Sequence, residues 1–131
     1  MLGESFLKSP DCFGQARQRF ADQIRHWGFA KDRTEYLRVL SESDVVVSTG
    51  AHEFFGLSLL EAVAAGCFPL VPHALAYPET LGSRSSYFHD GTATGIAESL
   101  VRLADEFTGS RPTSTGRPEH QSLDVSRFFW Q

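Results

Sequence analysis

The stretch HEFFGLSLLEAVAAG, residues 52–66, is the most informative part of the sequence about the fold and about a ligand site. It is almost wholly apolar, yet it carries two glutamates, Glu53 and Glu61, with seven residues between them. A carboxylate among leucine, valine and alanine is costly to bury unless a partner compensates its charge. We therefore look for a partner of Glu61 in the sequence around it.

The segments on either side of this stretch are typical of buried strands. DVVVST, residues 44–49, is a continuous β-branched run that predicts a strand buried on both faces of a parallel sheet. CFPLVP, residues 67–72, predicts the next strand. The apolar stretch between them then forms a helix, and Gly66 is the residue type expected at its C-terminal cap.

The same alternation continues through the rest of the chain. It predicts an α/β fold, with parallel strands, right-handed crossovers and flanking helices. Before the quoted stretch, the sequence predicts an amphipathic helix over 12–23, a short strand in 24–29 and a helix from Asp32 or Thr34 through Leu40, with Tyr36, Leu37 and Leu40 inward. After CFPLVP it predicts a loop over 73–86, an extended piece at 87–88 and a helix from 91–92 to about 107.

Composition divides the chain into three parts. Residues 1–107 are predicted to form a partial domain, because the first residues resemble the end of a strand. Residues 108–122 are polar and rich in Pro, Gly, Ser and Thr, which is typical of a flexible linker. Residues 123–131 form an aromatic tail that needs a surface to pack on.

Overall composition narrows the class of protein. With a net charge of -4 and scattered basic residues, the chain lacks the positive surface of an autonomous nucleic-acid binder. Cys12 and Cys67 are far apart in a sequence without a signal-peptide pattern, and no apolar run approaches the ~20 residues of a membrane span. We expect a soluble cytoplasmic protein with no membrane contact. The five histidines are too dispersed for a zinc signature, so no metal is expected.

The order of strand, loop and helix around Glu53 predicts a ligand site. Ligands of open α/β sheets lie beyond the carboxyl ends of the strands, where a helix N-terminus offers free N–H groups. The backbone of residues 55–57 would bind an anion, Glu53 would reach hydroxyl groups, and a ribose diol would suit Glu61. Alternatively, Glu53 only interacts with the helix dipole, and Glu61 pairs with an arginine or points outward.

Four further residues near this edge are weaker candidates. Thr49 and Gly50, which follow Ser48 at the strand end, either contact the nucleotide or form the turn. His52 either lines the pocket or shapes the loop. Glu79, in YPET, is either a site residue or an acid at a helix start.

The pattern Glu53-x-Phe55-Gly56-Leu57-x-x-x-Glu61 closely resembles the Glu-x7-Glu motif of retaining GT-B glycosyltransferases of family four. The resemblance implies a Rossmann-like donor domain that uses a nucleoside-diphosphate sugar and needs neither metal nor cofactor. It implies that Glu53 is catalytic and contacts the donor sugar, and that Glu61 holds the ribose. The implied donor-binding residues are His52, Phe55, Gly56, Leu57, Ser58 and Glu61.

A narrower resemblance extends from LGESF to YPE. These segments, with HEFFG and GCFPL among them, look like the carboxyl-terminal half of the tRNA-queuosine mannosyltransferase family and its bacterial relatives. That implies GDP-mannose as donor and the cyclopentenediol of queuosine as acceptor. The alternatives are a transferase that acts on a glycan or lipid, and a non-catalytic nucleotide-binding remnant.

The sequence also departs from that family. It has no acceptor domain, through which a tRNA would be held, and it lacks the first strand of the donor domain with the Arg/Lys pair that contacts the diphosphate. The resemblance therefore implies an incomplete carboxyl-terminal domain. We expect the chain alone to bind donor weakly and to transfer nothing.

Overall fold

The computed structural model describes residues 10–50, 56–82 and 84–109. The chain divides between Val39 and Leu40 into two compact units. The first contains mostly helix, and the second contains the sheet. The linker predicted over 108–122 begins too early, because residues 108 and 109 belong to a helix that ends at Gly109. The rest of the predicted linker, the predicted tail over 123–131 and residues 51–55 lie outside the described residues.

The first unit begins with helix α1 (Asp11–Arg19) and a 3-10 turn at Ala21–Gln23. These two elements match the predicted helix over 12–23, with a break at Phe20. The strand predicted over 24–29 is wrong. No strand element forms there: Gly28 pairs only as an isolated β-bridge residue, it has a φ of 97°, and the His26 ring lies 3.2 Å from its carbonyl oxygen.

Helix α2 (Arg33–Ser41) begins with the predicted aspartate cap. The Glu35 N–H donates to Asp32 Oδ1 at 2.8 Å, and the Glu35 carboxylate accepts the Lys31 N–H at 2.7 Å. Two N–H groups at the helix start are thereby satisfied. Leu40 is buried as predicted, whereas Leu37, predicted to face inward, is exposed.

The second unit contains a three-stranded sheet of β1 (Val45–Val47), β2 (Phe68–Pro72) and β3 (Phe88–His89). The strand order is β1-β2-β3 and both pairings are parallel. Three helices flank the sheet in the same unit: α3 (Leu57–Ala64), α4 (Tyr77–Leu81) and α5 (Ala93–Gly109). The predicted α/β fold with parallel strands is confirmed.

Burial differs between the two longer strands. In β2, residues 68–71 are buried, as predicted for a strand covered on both faces. In β1, Val45 and Val46 are half-buried and Val47 is 40% exposed, so the same prediction is wrong there. The difference follows from position, because β1 lies at the edge of the described sheet.

The core surrounds β2. Phe68 packs edge-on against Tyr87 and Phe107, with ring centroids 5.1 and 6.1 Å apart. Burial of such side chains supplies most of the favourable free energy of folding. The core residues are Leu59, Phe68, Leu70, Val71, Tyr77, Leu81, Tyr87 and Leu103.

Helix α3 ends at the predicted glycine. Gly66 has a φ of 98° and its N–H donates to the Val63 carbonyl at 2.9 Å, while the Cys67 N–H donates to the Ala62 carbonyl at 2.9 Å. This pair of hydrogen bonds is the Schellman motif, which returns the chain directly into β2. Cys67 is buried, as predicted, and its thiol is 3.3 Å from the Leu40 carbonyl.

The segment predicted as a loop over 73–86 contains a helix, so that prediction is wrong in part. Helix α4 spans Tyr77–Leu81 and has proline in its first turn, where the missing N–H is no loss. Tyr77 and Leu81 are buried in the core and hold this short helix in place. A second turn of 3-10 helix follows at Ser85–Tyr87.

The start of α5 is built around a close approach between Asp90 and Gly95. Asp90 Oδ1 accepts the Thr92 N–H and hydroxyl, each at 2.8 Å, and the Thr92 hydroxyl oxygen accepts the Gly95 N–H at 3.0 Å. A Cβ placed on Gly95 would lie 2.7 Å from Asp90 Cγ. Gly95 is therefore required for the cap.

We expect Gly95→Ala to lower the melting temperature, because the new methyl group displaces Asp90 from Thr92. The matched control is Gly14→Ala in α1, where nothing lies within 4 Å of an added Cβ. There the usual gain of about 0.5–1 kcal/mol for alanine over glycine within a helix applies. Thermal denaturation of both variants checks the prediction, and an equal gain in both would contradict it.

Candidate functional site

The carboxyl ends of the three strands lie along one edge of the sheet, because all pairings are parallel. Each strand leads through a connection to a helix, so the N-termini of α3, α4 and α5 are at this same edge. Ligands of open α/β sheets bind beyond such an edge. We call it the carboxyl edge of the sheet.

The predicted site residues divide between those the structure describes and those it does not. His52, Glu53 and Phe55 lie outside the described residues, so their predicted roles remain predictions. The others lie at the carboxyl edge or in the helices that begin there: Thr49, Gly50, Gly56, Leu57, Ser58, Glu61 and Glu79.

The start of α3 has the backbone expected of a helix N-terminus open to a ligand. Gly56 precedes the helix with φ 61° and ψ 33°, in the left-handed region that favours glycine, and its carbonyl accepts the Leu60 N–H at 2.9 Å. Leu57 and Ser58, in the first turn, are both exposed. The first-turn N–H groups of a helix have no partner within the helix.

Glu61 lies in the second turn of α3, on the side opposite the core. Its neighbours on that face are Leu57, four residues earlier, which is 62% exposed, and Ala65, which is half-buried. The buried side of the helix instead carries Leu59 and Ala62. Glu61 is half-buried, so the carboxylate among apolar residues sits on the more open face and is not inside the core.

Three of the weaker candidates are exposed residues of a turn or of a helix start. Thr49 and Gly50 follow β1 and are exposed, with the Gly50 N–H 3.4 Å from Ser48 Oγ. Glu79 is exposed in the first turn of α4, the position at which an acidic side chain favours the helix dipole. That location is the one expected if Glu79 is only an acidic residue at a helix start. Its role in a ligand site remains a prediction.

A network of hydrogen bonds joins the ends of β1 and β3 to α4. Ser48 Oγ and Tyr77 Oη are 2.9 Å apart, and His89 Nε2 is 2.9 Å from the Ser48 carbonyl oxygen. The Gly91 N–H donates to His89 Nδ1 at 3.0 Å. Since Nδ1 accepts a hydrogen bond, the ring carries its proton on Nε2 and donates it to Ser48.

Sequence reasoning did not find this network. In the sequence His89 is one of five dispersed histidines, and Tyr77 lies in the segment predicted as a loop. The bonded pairs are 41 and 29 residues apart, so no local spacing could reveal them. The only available signal was that both segments adjoin predicted strand ends.

The pKa of Asp90 lies below its ordinary value, chiefly because its carboxylate accepts the backbone N–H of Thr92 and then because it accepts the Thr92 hydroxyl. These bonds favour the ionised form and hold the turn between β3 and α5. Asp90 itself is exposed. The turn therefore depends on a charge that acid removes.

Within residues 10–50, 56–82 and 84–109, no group of three or more His, Cys, Asp or Glu side chains could hold a metal ion. No helix in these ranges is sufficiently long and apolar to cross a bilayer.

The fold and the arrangement of helix starts define the class of architecture. A parallel sheet with helices that begin at its carboxyl edge is the arrangement of Rossmann-like α/β domains. No protein-family model matches the sequence.

Comparison with curated proteins gives relatives of a particular kind. The chain is 33% identical over 111 residues to the tRNA-queuosine alpha-mannosyltransferase of Drosophila melanogaster, which covers 85% of this chain and 29% of the relative. It is also 33% identical over 109 residues to a GDP-mannose-dependent alpha-(1-6)-phosphatidylinositol dimannoside mannosyltransferase of Mycobacterium tuberculosis, covering 79% and 26% respectively. The chain thus spans less than a third of either relative. Both matches support a relationship to the glycosyltransferases.

We expect the stabilising effect of the Asp90 charge to be present near neutral pH and to be lost as pH falls. A carboxylate with a lowered pKa contributes its full stabilisation above its ordinary pKa of 3.8 and loses it progressively as pH falls from there through the lowered pKa of the folded state. Asp90→Asn should therefore lower the melting temperature at pH 7 by more than at pH 3.

The reference for this experiment is Asp105→Asn, which removes an exposed carboxylate from α5 itself. Thermal denaturation across the pH range measures both variants. If the difference between the wild type and Asp90→Asn is the same at pH 7 and pH 3, the assigned role of the Asp90 charge is contradicted.

Proposed function

We propose that this chain provides the donor-binding part of a retaining glycosyltransferase that transfers mannose from GDP-mannose to a queuosine-type tRNA nucleoside. The observation that carries the proposal is the 33% identity over 111 residues to a protein named as a tRNA-queuosine alpha-mannosyltransferase. That match covers most of the described sheet and helices.

The geometry of α3 supports a nucleotide-sugar donor. The exposed first turn after Gly56 offers N–H groups and the positive end of the helix dipole to a diphosphate. Glu61 lies four residues after Leu57, about 6 Å further along the helix at 1.5 Å per residue. A carboxylate at that distance from a diphosphate suits the ribose hydroxyls of the same nucleotide.

In this proposal, catalysis depends mainly on binding geometry and on stabilisation of the phosphate leaving group. The α3 N-terminus stabilises the negative charge that develops on the departing diphosphate. Glu53, by resemblance, contacts hydroxyls of the donor sugar and orients it. His52, Phe55 and Ser58 would line the same pocket.

A second candidate function uses the same donor with a different acceptor. The mycobacterial relative is named for a GDP-mannose-dependent reaction on a phosphatidylinositol dimannoside, and it is also 33% identical. That relative favours a lipid-linked glycan as the alternative to the tRNA nucleoside. The donor-binding residues would serve either acceptor.

We expect a nucleoside diphosphate to raise the melting temperature of the chain and Glu61→Gln to weaken this response. The screen uses GDP, UDP and ADP, with GDP giving the largest shift. Loss of a charged hydrogen bond of about 1.5–3 kcal/mol corresponds to a Kd increased by about tenfold to a hundredfold. Titration of GDP against each variant measures this change.

Glu106→Gln is the matched control. Glu106 is an exposed glutamate that pairs with Arg102 at 3.3 Å, and it lies about 20 Å along α5 from the carboxyl edge. The Glu106→Gln substitution should leave the Kd for GDP unchanged. An equal Kd for wild type and Glu61→Gln would refute the ribose assignment, and no response to any nucleotide would refute donor binding.

The activity of the chain is tested with GDP-mannose and two acceptors, a queuosine-containing tRNA and a phosphatidylinositol dimannoside. We expect weak binding of GDP-mannose and no transfer to either acceptor. Robust transfer to one of them would contradict the expectation that further parts of the enzyme are required, and would identify the acceptor directly.

A further inference from the structure

Helix α5 has a second apolar stripe besides the one that faces the core. Leu100 is 36% exposed and Val101 is 63% exposed, and the exposed Ala97 and Ala104 lie on either side of them in the sequence. The spacing 97, 100, 101 and 104 places all four side chains on one side of a helix. We call these four residues the outer stripe of α5.

The outer stripe is distinct from the side of α5 that faces the core. Ile96, Leu103 and Phe107 pack in the core around β2. At 3.6 residues per turn, these three residues are centred about 90° around the helix from the outer stripe. A helix with a single partner normally carries polar residues on its other sides. α5 therefore has the pattern of a helix with two apolar partners, and its outer stripe stays exposed in the part of the chain that the structure describes.

A groove along α5 adds negative charge beside the outer stripe. Its lining residues are Ala97, Glu98, Val101, Arg102, Asp105 and Glu106. Arg102 Nη1 is paired with Glu106 Oε1 at 3.3 Å, so the carboxylates of Glu98 and Asp105 leave the groove with a net negative charge. A partner that carries apolar side chains next to a positive charge is complementary to this surface.

The aromatic tail predicted over 123–131 has this chemistry, because Phe128, Phe129 and Trp130 directly follow Arg127. The tail lies outside the described residues, and the 13 residues of 110–122 connect it to the end of α5. Val101 is eight residues before that end, or about 12 Å along the helix. A connection of 13 residues without regular structure spans about 20 Å, so its length allows the tail to reach the outer stripe.

We propose that the aromatic tail, residues 123–131, packs on the outer stripe of α5 in the same chain. Its aromatic side chains lie against Leu100 and Val101, and Arg127 lies beside the carboxylates of the groove. Burial of aromatic and aliphatic surface drives the contact. The contact provides the second apolar side of α5 with a partner, and it provides the tail with the surface that its composition requires.

A second copy of the chain is a poorer occupant of the outer stripe. The stripe extends over residues 97–104, about 10 Å of helix. A stable dimer buries about 1,200–2,000 Å² in total, which a stripe of this length cannot supply by itself. A tail connected to the same helix needs less area, because its binding is intramolecular and takes place at a high effective concentration.

Quenching of Trp130 fluorescence by acrylamide tests the contact. Trp27→Phe leaves Trp130 as the only tryptophan, and in this background we expect a quenching constant at least threefold lower than that of a peptide of residues 123–131. Val101→Gln should raise the constant at least twofold. The matched control is Leu37→Gln in α2, where the leucine is also exposed on a helix, and it should leave the constant unchanged.

Equal quenching of Trp130 in the chain and in the peptide would overturn the proposal, and so would equal constants for Val101→Gln and Leu37→Gln. Should Trp27→Phe fail to fold, 5-fluorotryptophan in the chain with both tryptophans gives the same comparison by ¹⁹F NMR, and Trp130→Phe assigns the signal.

Dilution distinguishes the tail of the same chain from a second copy. We expect the quenching constant of Trp130 to stay the same over a hundredfold dilution of the chain, because the contact is intramolecular. Protection that is lost on dilution would overturn the proposal, since the partner would then be another copy. None of these measurements uses a nucleotide, so their result is independent of donor binding.

Discussion

The parallel pairing of β2 with both of its neighbours is the constraint on which the rest of the structure depends. It brings the ends of β1, β2 and β3 to one edge, and with them the starts of three helices. β2 is also the strand buried on both sides, at the centre of the core. The Schellman turn at Gly66 is what allows α3 to pass directly into this strand.

The sequence predicted the elements with strong local patterns. The β-branched run at 44–49, the cap at Gly66 and the apolar stripe of α5 each identify an element from its own residues, and the structure confirms them. Prediction failed where long-range contacts decide. No strand element forms over 24–29, where Gly28 alone makes an isolated β-bridge, and α4 forms because Tyr77 and Leu81 pack into a core built from distant residues.

In the candidate site, too, local patterns were predictable from the sequence and long-range contacts were not. The pattern from Glu53 to Glu61 predicts a helix start with a carboxylate one turn further on, and the structure has Glu61 half-buried on the open face of α3. The bonds of Ser48 to Tyr77 and His89 could not be predicted, because they join residues 29 and 41 positions apart.

The central claim is that the carboxyl edge, at the start of α3, binds the nucleotide of a sugar donor. Backbone NMR spectra of the chain, recorded with and without GDP-mannose, test this claim most directly. We expect the largest chemical-shift changes at residues 48–50 and 56–61, with little change in α1. Changes confined to the first unit, or no change at saturating donor, would contradict it.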